Sequence, residues 1–167
     1  MDFIGGLLER LADTPLSHLI HESDVGFPAV ESAHVVAITL VLGSIMIVDL
    51  RLLGLASTKT AVTSLTAEIL PWTWGFFILA VVTGGLMFIS QPVDYFGNTA
   101  FRVKMLLLVL AGLNMLAFHA VAWRGVAAWD RDPKPPARAR LAGGISLVCW
   151  LAVIAAGRVI GFTMFPG

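Results

Sequence analysis

The chain has 167 residues, of which 57% are hydrophobic and only 13% charged, and its mean hydropathy is +0.86. A soluble domain carries about a quarter charged residues, so this composition excludes one and points to an integral membrane protein. A net charge of zero offers no footprint for nucleic acid. The single cysteine, Cys149, excludes a disulfide within the chain and reads as a packed core thiol.

The opening stretch Met1–Ile20 does not read as a signal peptide. It starts on Asp2 rather than a basic region, and Glu9, Arg10 and Asp13 interrupt its apolar run. The first spanning helix is therefore expected to direct insertion. Over 3–12, Phe3, Ile4, Leu7, Leu8 and Leu11 fall on one side and Glu9 and Arg10 on the other. A second short helix is expected with Thr14 as cap and Pro15 at its first position. Leu16, Leu19 and Ile20 form its apolar side, and His18 and His21 its polar edge. Residues 1–26 thus read as an interfacial amphipathic segment, too short and too charged to cross a bilayer.

The stretch 27–53 is the first expected span, with no charge between Val35 and Val48. Its ends carry Glu31, His34, Asp49 and Arg51. At 100° per residue, Glu31, His34 and Asp49 lie within about 60° of one another. Ionisable residues on one face of a spanning helix point at protein, cofactor or water, because lipid penalises them. A polar connector with a short surface helix follows, its apolar spacing set by Val62, Leu65 and Ile69. Pro71 is expected to open a second span over 72–89, anchored by Trp72 and Trp74 at the interface. After a loop containing Gln91, Pro92, Asp94, Gly97 and Asn98, a third span is expected over 101–123. It carries Arg102 and Lys104 at its start and His119 near its end. A basic loop leads to a fourth span over 141–165, rich in Gly and Ala and interrupted by Arg158. The fold class is therefore an all-α integral membrane protein, a four-helix transmembrane bundle over 27–167 behind the N-terminal pair.

Arg51, Lys59, Arg124, Arg131, Lys134, Arg138 and Arg140 collect on the side reached after the first and third spans, against Arg10, Arg102 and Lys104 on the other. The positive-inside rule places the first group in the cytoplasm and both termini in the periplasm of a bacterial inner membrane.

His34, Lys104 and Arg158 lie at similar depths near the end that carries the termini, and with Glu31 and Arg102 they are expected to converge there. His18 and His21 are placed to reach over that site. The bland alternative is a neutralising Glu31–Arg158 pair with His34 hydrogen-bonded beside it. His119 lies about 22 Å further along its helix than Lys104, on the same face as Lys104 and Met115, with Asp49 and Arg51 approaching from the first span. One haem cannot take both His34 and His119 as axial ligands, since an iron needs its ligands at one depth. Either two centres exist or one histidine is structural. Met46, Met87, Met105, Met115 and Met164 hint at copper but read first as packing residues. No C-x-x-C, H-E-x-x-H, Walker or dinucleotide motif is present.

The string HVVAITLVLGSIMIVDLRLL, His34 to Leu53, resembles the first helix of HemJ-type protoporphyrinogen oxidases. The string FRVKMLLLVLAGLNMLAFH, Phe101 to His119, resembles their lysine-to-histidine helix. CopD-like copper-resistance membrane domains share a related pattern. An uncharacterised bacterial four-helix membrane family with E-S-x-H, D-L-R-L-L-G and P-W-T-W motifs is similar over nearly the whole length. The resemblance to HemJ implies His34 and Lys104 as haem- or porphyrin-site residues, with Arg51 in support. The expected function is thus a b-type haem membrane protein in electron transfer or haem-linked redox chemistry, HemJ-like oxidoreductase activity being open. His34 is the preferred metal ligand. Lys104 is either the second ligand or, with Arg158 and Arg102, a partner of the propionates, and His119 is the candidate for a second haem. A copper or small-solute permease and an accessory subunit are the alternatives. The implied partners are the lipid bilayer and a redox partner or larger membrane complex, with homo-oligomerisation open.

Overall fold

A computed structural model describes residues 3–21 and 23–164. Two short helices, α1 (Phe3–Ala12) and α2 (Pro15–His21), precede four long ones. These are α3 (Gly26–Leu53), α4 (Val62–Ser90), α6 (Thr99–Ala117) and α7 (Ala137–Met164), with a single-turn helix α5 (Pro92–Gly97) between α4 and α6. Beyond α6 the chain continues through a π turn, Phe118–Ala122, into a 3₁₀ segment, Trp123–Ala128. The protein is an all-α membrane bundle with four helices long and apolar enough to cross a bilayer. Up-and-down connections put α3's start and α7's end together, here called the terminal end. The connections after α3 and α6 form the opposite, loop end.

Local chemistry explains the boundaries. Thr14 Oγ1 accepts from Ser17 N at 3.3 Å, capping α2 with Pro15 in the first turn. Gly54 ends α3 in the left-handed conformation (φ 74°), its N–H bonding the Arg51 carbonyl while Leu55 N–H reaches Leu50 O at 2.9 Å. Asn98 caps α6 by accepting from Phe101 N at 3.2 Å.

The second span differs from expectation. Residues 62–70, expected as a separate surface helix, are the first turns of α4, and Pro71 sits inside it rather than at its start. Val62 and Leu65 are buried and tie these turns to the bundle, while a proline withdraws only one backbone donor from a helix that packing already holds. The third span ends its regular α-helix at Ala117, short of 123, because a π turn follows. The fourth starts at Ala137 rather than 141, and its expected last residue, Phe165, lies outside the described residues. Pro92 at the first position makes α5 a helical turn where a loop was expected.

Packing is uneven around the bundle. α3 lies against both α4 and α7, and α6 lies against α7, but α4 and α6 scarcely touch. Gly143 allows the closest approach, since a Cβ there would stand 3.1 Å from both the Asp49 carbonyl oxygen and Leu52 Cβ. At the loop end Leu52, Val62, Ala122, Trp129 and Ala139 form a buried core. At the terminal end Phe88 stacks on Phe101 at 5.5 Å, which joins α4 to α6 there, and Tyr95 meets Phe101 edge-on. α2 docks on this end through Ser17 Oγ, which donates to Ser90 O at 3.2 Å. Phe3, Ile4 and Leu7 of α1 remain exposed, as suits a helix lying at an interface.

Candidate functional site

The terminal-end site is built on His34, two turns into α3 and 9% exposed. Its neighbour on α4 is Thr83, whose hydroxyl donates to the Leu79 carbonyl at 2.7 Å. Because that hydrogen is committed, the 3.0 Å contact between Thr83 Oγ1 and His34 Nδ1 has the imidazole N–H as donor. Nε2 therefore keeps its lone pair, and it faces Lys104 Nζ of α6 at 3.5 Å. Gly84 clears the space for the ring, since a Cβ there would lie 2.9 Å from His34 Cε1. Gly157 of α7 borders Lys104, where a Cβ would meet Nζ at an ordinary contact distance of 3.7 Å. All four spans thus contribute to one histidine–lysine pair.

The other residues expected here do not all join it. Arg158 is exposed and lays its guanidinium over Phe162, 4.5 Å from the ring centre. Arg102 is exposed and bonds Thr99 Oγ1 one turn back at 3.3 Å. Glu31 sits near Tyr95, whose hydroxyl is pushed up to about 12 by burial, with the Glu31 carboxylate adding to the shift. Among the described residues no ion pair joins Glu31 to Arg158, so the neutralising pair is not formed. Thr83 and Gly84 hold roles at this site that the sequence alone did not assign to them.

Arg51 is a correction. It was expected to support the His34 site, yet it lies at the loop end, fully buried. Its Nε donates to Thr60 O at 2.8 Å, and Nη2 to Asp130 O and Asp132 O, each at 3.1 Å. It ties the two connections of that end to α3, about 25 Å along the helix from His34.

His119 falls in the π turn, exposed from the packed core. Its Nδ1 stands 2.8 Å from Met115 O. A carbonyl can only accept, so Nδ1 carries the hydrogen and Nε2 is again the free acceptor. The ring lines a cavity of about 350 Å³ between the four spans, whose wall also includes Asp49, Thr66, Trp74, Phe77 and Trp150. The expected approach of Asp49 to His119 is present, and the expected approach of Arg51 is not. His34 and Lys104 do not line this cavity.

For metal chemistry, no group of three or more His, Cys, Asp and Glu side chains gathers among the described residues. What is present is a pair of nitrogen donors. Two nitrogens bound in line to one metal stand about 4 Å apart, taking metal–imidazole bonds of about 2 Å. The 3.5 Å between His34 Nε2 and Lys104 Nζ falls half an ångström short of that, within reach of a lysine side chain. The contact of the far nitrogen with the Thr83 hydroxyl fixes the ring's orientation, as an outer hydrogen bond does for a ligating histidine.

No curated protein and no solved structure matches this chain. A family described as being of unknown function, DUF6644, matches residues 13–163, which takes in both histidine sites, the cavity and all but the last residue of α7. The chain belongs to the DUF6644 family.

Proposed function

We propose that this protein is a b-type haem protein of a bacterial inner membrane that acts in electron transfer or haem-linked redox chemistry. His34 Nε2 would ligate the haem iron, and Lys104 would be the second ligand or a propionate partner. The observation that carries the reading is the placement of His34, its Nδ1 3.0 Å from Thr83 Oγ1 and its Nε2 3.5 Å from Lys104 Nζ, with Gly84 leaving room for the ring. The resemblance of the His34–Leu53 and Phe101–His119 strings to HemJ-type helices supports it independently. A bound haem would supply one-electron transfer. The protein's own part is to present the His34 lone pair, hold the ring through Thr83 and place a cation beside it. Arg102, two residues before Lys104, and Arg158, next to Gly157, are exposed and available to propionates. The excess of Lys and Arg at the loop end supports a cytoplasmic loop end, with the His34 end towards the periplasm.

The test is an absorption spectrum of detergent-purified protein made with ample haem supply, oxidised and dithionite-reduced. A Soret band and sharp reduced α-band are expected, lost in His34→Ala and retained in His119→Ala. A colourless wild-type protein would overturn the reading. Loss of the band in His119→Ala with retention in His34→Ala would move the site to the loop end.

A further inference from the structure

We propose that the loop-end cavity binds a membrane-soluble ring compound bearing a hydroxyl, of the phenol or quinol class, with the hydroxyl held by Asp49 and Thr66. The cavity's volume of about 350 Å³ lies within the range of small-molecule sites. Its wall is mostly apolar, with Trp74, Phe77 and Trp150 offering ring surfaces.

The polar groups in that wall are unusual. Asp49 is only 5% exposed. Among the described residues its Oδ2 has no hydrogen-bond partner, and neither has Thr66 Oγ1. Ser146 hydrogen-bonds the Asp49 carboxyl group. Buried polar atoms are nearly always satisfied, and an orphan costs about 1–3 kcal/mol or more if charged. Both residues line the cavity, so a molecule bound there can supply the missing partner once the side chains turn to it.

The chemistry of that partner follows from what the wall lacks. Among the described residues that line the cavity, Asp49 and His119 carry the ionisable side chains, and no lysine or arginine is present. His119 offers an acceptor, Nε2, because Nδ1 is committed to Met115 O. A bare carbonyl compound brings no donor for that nitrogen or for an ionised Asp49. A hydroxyl donates and accepts, so it satisfies Asp49 in either protonation state and Thr66 as well. The inference does not rest on haem, since Asp49 lies about 22 Å along α3 from His34.

The experiment uses the full chain in detergent, with 4-bromophenol as probe and heavy-atom quenching of tryptophan fluorescence as readout. Trp74 and Trp150 line the cavity. Saturable quenching is expected, weakened at least tenfold by Asp49→Leu and by Thr66→Val, and removed by Trp74→Phe with Trp150→Phe. Gly112→Leu is expected to block it by filling the cavity, since Gly112 lines the wall and a Cβ there meets nothing within 4 Å. Bromobenzene, lacking the hydroxyl, is expected to quench only in proportion to its concentration. Non-saturable quenching by 4-bromophenol would mean a cavity holding water or lipid alone and would overturn the proposal. Unchanged affinity in folded Asp49→Leu and Thr66→Val, or equal saturable binding of bromobenzene, would overturn it too.

Discussion

Replacing Arg51 with methionine removes a cation whose hydrogen bonds go to backbone carbonyls of both loop-end connections: Thr60, Asp130 and Asp132. Hydrogen bonds to charged groups contribute about 1.5–3 kcal/mol each. Their simple sum overstates the loss, because methionine keeps most of the apolar contact and burying a guanidinium is itself costly. A net destabilisation of about 3–5 kcal/mol is the expected outcome. Lysine, with a point charge in place of a planar fork, should recover less than half of it. The assay is reversible unfolding by sodium dodecyl sulfate in mixed micelles, followed through tryptophan fluorescence, because Trp129 lies in the same buried core. Trypsin provides a local readout: cleavage after exposed Lys59 should accelerate once the connection loses its anchor. A change below about 1 kcal/mol, with an unaltered tryptic pattern, would refute the anchoring role.

Three further outcomes are expected. Gly84→Ala forces a methyl to 2.9 Å from His34 Cε1. That overpacking should cost about 1–3 kcal/mol and shift or abolish any His34-dependent Soret band, as read by thermal melting and absorption spectroscopy. Gly54→Ala places a side chain at φ 74° and 2.9 Å from Pro133 O, so a loss of at least about 1 kcal/mol is expected in the same unfolding assay. Asp130 accepts from Thr63 N at 2.8 Å and Thr63 Oγ1 at 2.9 Å, and these bonds hold its carboxyl below the usual range. The unfolded chain then binds the proton more readily, so Asp130's contribution is complete above about pH 4 and fades as pH falls below that. Asp130→Asn should flatten the acid limb of stability measured between about pH 2 and 6, and an unchanged limb would refute this.

Much of the fold was legible because lipid makes strong demands on sequence. Four long apolar runs, a Thr-Pro start for α2 and paired glycines in α7 all follow from residue type alone. Pro71 misled because proline is a strong boundary signal in isolated helices, whereas buried Val62 and Leu65 hold the preceding turns in line. The π turn at Phe118 left no mark of its own, since a widened turn depends on packing more than on composition. At the site, depth along the helices correctly brought His34 to Lys104, but depth alone could not tell which face a side chain takes. Arg51 shows this: two residues beyond Asp49 is about 200° around the helix, which turns it from the cavity to the connections. Thr83 was missed because a threonine in an apolar helix usually bonds its own backbone, and here it does that and orients His34 as well.

The position of the cavity between four membrane-spanning helices changes what concentration means for this protein. A membrane-soluble ligand of such a site partitions first into the hydrocarbon phase, so occupancy follows the amount of ligand per lipid rather than per volume of water. Apolar compounds enriched by partitioning would appear to bind tightly in aqueous terms while gaining little from the protein itself. Discrimination then rests on the few polar atoms in the wall, since lipid acyl chains compete everywhere else. The lipid-to-protein ratio, and the acyl chains themselves, become thermodynamic variables of the site.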